Sequence, residues 1–316
     1  MLREALIALS ESTTARRLVR SAPGARTMAS RFVAGETVEA GIRAARALNQ
    51  AGMGVSLDYL GESVRSREEA RAAADVYLRM LDQIAQEKLN ANVSLKLTQM
   101  GQDIDETWLR ENVGRVLDHA RTLDIFVRFD MESSAYTQRT LDFFRRLWGE
   151  GYRNIGVVIQ SYLRRSAADI EQLNRDGVRV RLCKGAYQEP ESAAFPEKAD
   201  VDDNYVRLMR MLLQQGNYPG LATHDERMIQ ATLDLVARNG RPTSDFEFQM
   251  LYGVRRDLQQ RLVAQGYKLR VYVPFGEAWY PYLMRRMAER PANLFFIINA
   301  VLKESPFRFL LGRRQS

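Results

Sequence analysis

Eight short apolar runs of strand length recur along this chain, and each is followed by a longer stretch with the apolar spacing of an amphipathic helix. The runs fall at 54–59 (GVSLDY), 92–97 (NVSLKL), 125–131 (IFVRFDM), 155–160 (IGVVIQ), 178–184 (VRVRLCK), 220–223 (GLAT), 246–250 (FEFQM) and 268–273 (KLRVYV). The helical patterns follow at 67–89, 106–121, 136–148, 166–176, 203–215, 226–239, 255–265 and 279–288. Strands that alternate with helices pair in parallel, because each helix carries the chain back to the edge where the next strand starts. Eight such units make a (β/α)8 TIM-type barrel, which takes about 250 residues. At 316 residues the chain has room for that barrel and a short extension. The expected organisation is therefore α/β. Residues 1–49 form an N-terminal helical extension, broken around Pro23 and Gly24 and capping the bottom of the barrel. Residues 50–316 form the barrel catalytic domain with its C-terminal helix.

The residue inventory limits the chemistry. Cys183 is the single cysteine, and His119 and His224 are the only histidines, so the chain lacks the ligands for an iron–sulfur cluster or a histidine-rich metal site. No intrachain disulfide can form, which fits a reducing compartment. The expected metal content is none, and the chemistry calls for an organic cofactor. A net charge of +7, with arginines clustered near both ends, suits a solvated surface as well as it suits nucleic acid, anionic lipid or anionic ligands. No apolar segment approaches the ~20 residues of a spanning helix; the longest, 293–302 (NLFFIINAVL), reads as a buried or interfacial helix. Glu4 and Glu11 argue against a secretion signal, while the Ser-, Thr-, Ala- and Arg-rich stretch 12–32 leaves a targeting segment as an alternative. The expected location is cytoplasmic.

In barrels of this kind chemistry occurs where the strands end at their C-terminal side, so polar residues closing each run deserve notice. They are Lys96, Asp130, Gln160, Arg181 with Lys184, Thr223 with His224, Gln249 and Tyr272. Lys96 and Asp130, of opposite sign on neighbouring strands, suggest a buried ion pair with either a structural or a substrate-facing duty. Arg181 and Lys184 precede Gly185, where a missing side chain would let a ligand approach the backbone; two cations there suit a phosphate-bearing cofactor, or else flank an exposed loop. Tyr282, Arg285, Arg286 and Glu289 share adjoining faces of the last helix. Paired guanidinium groups can clamp a carboxylate, although the same spacing describes an exposed, salt-bridged helix. His224 suits hydrogen bonding to a cofactor better than general-base duty, His119 reads as structural, and Cys183 as a small core residue.

Taken in order, VSLKLTQMG (93–101), VRFDMES (127–133), VVIQSYLRR (157–165), VRLCKGAYQEP (180–190), LATHD (221–225), FEFQMLYG (246–253), VYVPFG (271–276) and YLMRRMAERPAN (282–293) make the chain resemble the proline dehydrogenase family from about Val55 to Asn293. The resemblance implies a distorted (β/α)8 barrel with FAD bound non-covalently at the C-terminal face. It implies a flavoenzyme that oxidises L-proline to 1-pyrroline-5-carboxylate, the first step of proline catabolism to glutamate, by hydride transfer to FAD and reoxidation by a membrane quinone. The positions matching the family's cofactor contacts are Asp130, Gln160, Arg181, Lys184, Gly185, Ala186, Thr223 and His224. Those matching its substrate pocket are Lys96, Leu251, Tyr272, Tyr282, Arg285, Arg286 and Glu289. Lys96, Asp130, Arg181 and Tyr272 are the positions at which the resemblance implies catalytic duty. It also implies the monofunctional form, without an aldehyde dehydrogenase domain downstream, and a peripheral approach of the basic segment 307–314 to the inner face of a membrane.

Two rival readings predict different partners. Another flavin barrel, similar to methylenetetrahydrofolate reductase, would need a nicotinamide or folate, and Arg285 with Arg286 suits a small carboxylate instead. A nucleic-acid binder would gather its cations on one face. Here the cations singled out stand at strand ends beside apolar residues, so no nucleic-acid partner is expected.

Overall fold

The structure, a computed structural model, describes residues 29–289, with side chains up to residue 284. Eight parallel strands close a barrel in chain order: β1 (Gly54–Tyr59), β2 (Ala91–Leu95), β3 (Val127–Phe129), β4 (Ile155–Gln160), β5 (Arg179–Cys183), β6 (Gly220–Ala222), β7 (Glu247–Leu251) and β8 (Leu269–Phe275), which pairs back onto β1. The helices are α1 (Val38–Gln50), α2 (Arg67–Gln86), α3 (Glu106–Thr122), α4 (Ser134–Gly149), α5 (Ser166–Arg175), α6 (Lys198–Gln215), α7 (Glu226–Asn239), α8 (Arg256–Ala264) and α9 (Trp279–Glu289). Several start on a side chain that satisfies a free backbone N–H. Ser66, Asp105 and Asp225 accept from Glu69, Trp108 and Arg227 at the first turns of α2, α3 and α7.

Alternation along the strands sorts the side chains. Val55, Leu57, Val93, Leu95, Val127, Phe129, Val157, Val180, Leu182, Phe248, Val271 and Val273 are fully buried in the layer beneath the helices. The intervening positions point into the barrel, and they are polar. Ser56, Asp58, Ser94, Arg128, Arg181, Glu247 and Gln249 are all buried there. Arg181 on β5 donates to Ser56 on β1, four strands away, a contact that can only cross the lumen.

The barrel departs from regular topology at its seam. Of the N-terminal segment expected to cap the bottom, residues 1–28, with the break at Pro23 and Gly24, lie outside the described residues, and α1 lies along the outside of β1 and β8. Gly41 permits this approach, since a Cβ there would stand 3.0 Å from the Phe275 ring and 3.4 Å from Leu57. Val38, Ile42 and Ala45 are buried on the same helix, so its apolar stripe serves as the missing wall. The last helix is thereby displaced. α9 packs Trp279, Tyr280, Tyr282, Leu283 and Met284 with Ala29, Phe32, Val33 and Leu60, in an apolar cluster separate from the main core. Leu60 follows the last residue of β1, so this cluster stands at the C-terminal end of the barrel. Among the described residues no helix is long and apolar enough to cross a membrane.

Candidate active site

Several polar positions expected at strand ends lie deeper. Arg181, Gln249 and Tyr272 fall within β5, β7 and β8, because those strands continue past the polar residue. Lys96 and Asp130 stand just beyond β2 and β3, Thr223 and His224 just beyond β6, and Gln160 ends β4.

These residues converge on one buried network. Lys96 Nζ lies 3.2 Å from Asp58 Oδ1, 3.3 Å from Asp58 Oδ2 and 3.7 Å from Asp130 Oδ2. The ion pair expected between Lys96 and Asp130 is thus a shared one whose nearer partner is Asp58, a fully buried residue that strand-end reasoning passed over. Its signal was available: an acid inside the apolar run GVSLDY, at the parity that faces the lumen. Burial alone would draw the lysine's pKa down, yet Asp58 and Asp130 outweigh it and hold the ammonium above its usual range. Lys96 is a fixed cation.

Asp130 joins three groups. Besides Lys96, its Oδ1 accepts from Arg181 Nη1 at 2.9 Å and its Oδ2 from the Tyr272 hydroxyl at 2.8 Å. Arg181 further donates from Nη1 to Ser94 Oγ and from Nη2 to Ser56 Oγ, both at 3.1 Å, and from Nε to Gln249 Oε1. Its guanidinium carbon lies 5.3 Å from the centre of the Tyr272 ring. Burial, with Asp130 and Asp58 nearby, pushes the Tyr272 phenol well above its ordinary range, so it remains a hydrogen-bond donor.

The remaining positions ring the mouth. Gln160 donates to the carbonyls of Met131 and Glu132 at 3.3 and 3.2 Å, and its Oε1 is buried without a hydrogen-bond partner. His224 Nε2 accepts from the Leu251 backbone N–H at 2.8 Å, which leaves the imidazole proton on Nδ1. Thr223 Oγ1 accepts from the Asp225 N–H at 3.1 Å. Arg181 and Lys184 take different partners: Lys184 bridges Asp202 and Asp225, the latter at 2.9 Å. Gly185 has a φ of +111°, but the space beside it is taken, since a Cβ would stand 2.4 Å from the Tyr162 ring. Ala186 is half-buried in the loop that follows. Leu251 is half-buried beside Tyr272 in the β7–β8 register, and Tyr282 is buried on α9. The side chains of Arg285, Arg286 and Glu289 lie outside the described residues, as does segment 307–314. Of the two remaining expectations, His119 is a helix-surface residue 2.7 Å from Asp82, and Cys183 packs against the core.

Glu132 was also missed. Its carboxylate accepts from Thr98 Oγ1 at 2.8 Å and from the Thr98 N–H at 3.4 Å, tying the loop after β2 to the loop after β3. Burial raises its pKa to about 7, although the Thr98 hydrogen bond and Lys96 oppose that.

Residues 41–298 match the family model described as proline dehydrogenase. The chain belongs to the proline dehydrogenase family. Proline dehydrogenase 1 of Bacillus subtilis is 40% identical over 304 residues, covering 96% of this chain and all of that protein. Proline dehydrogenase of Deinococcus radiodurans is 41% identical over 307 residues, covering 95% of this chain and 98% of its own. Among solved structures, proline utilization A from Bdellovibrio bacteriovorus, inactivated by N-propargylglycine, superposes with a TM-score of 0.79 at 26% identity. That match covers 91% of this chain and 35% of the longer protein, so the chain spans about a third of it. Like other proline dehydrogenase family members it is an oxidoreductase on a TIM-type barrel.

Proposed function

We propose that this chain oxidises L-proline to 1-pyrroline-5-carboxylate at the C-terminal mouth of the barrel, with FAD bound across that mouth and a membrane quinone as the final electron acceptor. The observation that carries the reading is the buried network of Asp58, Lys96, Asp130, Arg181 and Tyr272 beneath the mouth, in a chain whose full-length relatives are named for this activity. Charged groups buried this deeply cost several kcal/mol unless paired, and here each is paired within the set.

The residues fit a flavin. Gln160 Oε1 is a buried acceptor that a ligand N–H would satisfy, and His224 keeps its proton on Nδ1 as a donor. Asp130, Gln160, Arg181, Lys184, Gly185, Ala186, Thr223 and His224 would hold the cofactor. When bound, FAD supplies the two-electron acceptor for the hydride leaving the carbon beside the ring nitrogen. Arg181 places a fixed cation where negative charge develops. Lys96 contributes an ammonium that is already charged, so it donates hydrogen bonds and takes up no proton.

Arg285 and Arg286 would clamp the substrate carboxylate, oriented by Glu289, while Tyr272, Leu251 and Tyr282 shape the space around the five-membered ring. Binding proline with its amine neutral makes proximity the main requirement, and no residue is assigned as an obligatory general base. The quinone places the protein at the inner face of a membrane, approached peripherally by the basic segment 307–314.

Anaerobic titration of the purified protein with L-proline, following flavin absorbance, tests this directly. Bleaching that is lost in Arg286→Ala is the expected result. Bound flavin indifferent to proline would overturn the substrate, and a colourless protein would overturn the cofactor.

A further inference from the structure

Beside Arg181 the lumen holds further buried polar side chains, Gln249 and Glu247, that are assigned to neither substrate nor cofactor. Gln249 donates from Nε2 to Glu247 Oε1 at 2.7 Å and accepts from Arg181 at Oε1. Glu247 also accepts from Arg270 Nε at 2.8 Å and from the Tyr218 hydroxyl at 3.2 Å, and Arg270 is anchored to the Val55 carbonyl at 2.9 Å. Gln249 and Glu247 are 3% and 4% exposed, so neither has water as an alternative partner.

The chemistry of this chain of contacts runs one way only. Burial would raise the Glu247 pKa, but Arg270, its hydrogen bond and that of Gln249 hold it below the usual range, so the carboxylate only accepts. Arg181 only donates. An amide is the side chain of this length that can donate to the first and accept from the second, and its orientation is thereby decided. The slot is also cut to fit, since a Cβ on Gly220, the β6 partner of Glu247, would stand 2.4 Å from Gln249 Nε2.

We propose that Gln249 and Glu247 are positioning residues that fix the orientation of the Arg181 guanidinium and thereby set the preference of the site for reduced over oxidised cofactor. The proposal rests on FAD binding at the mouth. Without the amide, Arg181 loses the partner of its Nε and keeps only those of its Nη atoms, Asp130, Ser94 and Ser56, so the guanidinium can turn about them.

The test uses FAD-loaded Gln249→Leu and Gln249→Glu, with the flavin midpoint potential measured spectroelectrochemically beside kcat and KM for proline. For Gln249→Leu the preference for reduced flavin falls about tenfold, a shift of about 30 mV to more negative potential for a two-electron couple. Its kcat falls while KM stays within about twofold, since an interaction felt in the reaction and not in substrate binding has been removed. Gln249→Glu has the same shape, so it keeps the proposal testable if the leucine variant does not fold. Its ionised form cannot donate to Glu247, but its protonated form can, so its potential returns toward the wild-type value as pH falls. Variants that fold, carry FAD and keep the wild-type potential at every pH would overturn the proposal, as would lost stability with an unshifted potential in the folded fraction. A wild-type chain that takes up no FAD would overturn both this inference and the function beneath it. A wild-type flavin bleached by proline beside unshifted variants would overturn the inference alone.

Discussion

Lys96 and Asp58 form a bidentate ion pair at 3.2 and 3.3 Å between β2 and β1, with Asp58 fully buried and Asp130 completing the lysine's surroundings at 3.7 Å. Removing one member of such a pair leaves a buried charge uncompensated, which typically costs about 3–5 kcal/mol. Asp58→Asn keeps the shape and drops the charge. Urea unfolding should show a loss of about 3 kcal/mol at neutral pH, with Asp130 left as the carboxylate beside the Lys96 ammonium. An unfolding midpoint equal to wild type would refute the assignment.

Tyr272 donates to Asp130 at 2.8 Å, a hydrogen bond to a charged group. Such bonds are worth about 1.5–3 kcal/mol. Steady-state kinetics of Tyr272→Phe should show kcat/KM for proline lowered roughly tenfold or more, each tenfold corresponding to about 1.4 kcal/mol. Stability should fall by no more than the same amount, because the Arg181 and Lys96 cations still pair with Asp130.

Glu132 has a folded-state pKa of about 7 against an ordinary 4.5. A raised carboxyl pKa means that the folded state binds the proton more tightly. Its contribution is therefore fully present below about 4.5 and lost as pH rises through about 7. Glu132→Gln, which keeps an acceptor for Thr98, should flatten the fall in melting temperature between pH 5 and 8. The relief at alkaline pH is on the order of 3 kcal/mol. Parallel melting curves of variant and wild type across that window would count against it.

Gly185 combines a φ of +111° with a Tyr162 ring carbon where a Cβ would stand. Gly185→Ala must shift either the backbone or Tyr162, whose hydroxyl holds Glu189 at 3.1 Å. Strain of this kind costs about 1–3 kcal/mol. Calorimetry should register that loss, and flavin retention through gel filtration should fall with it; full retention and an unchanged melting temperature would separate Gly185 from the cofactor loop's geometry.

The barrel was legible in the amino-acid order because periodicity is a local property. The alternation of short apolar runs with helical stretches specifies parallel β/α units, and β1 and β4 coincide with the runs at 54–59 and 155–160. The runs at 178–184, 246–250 and 268–273 already extended past Arg181, Gln249 and Tyr272, which lie inside β5, β7 and β8. Which polar groups meet was decided only by closure. Residues 56 and 181 are 125 positions apart and touch across the lumen, and Asp58 captures Lys96 because β1 and β2 bring them level, not because any spacing links them. The seam was equally a tertiary matter. An amphipathic α1 could have covered any apolar surface, and it lies on β1 and β8 because Gly41 lets it approach Phe275 and Leu57 there, which sends α9 to the mouth.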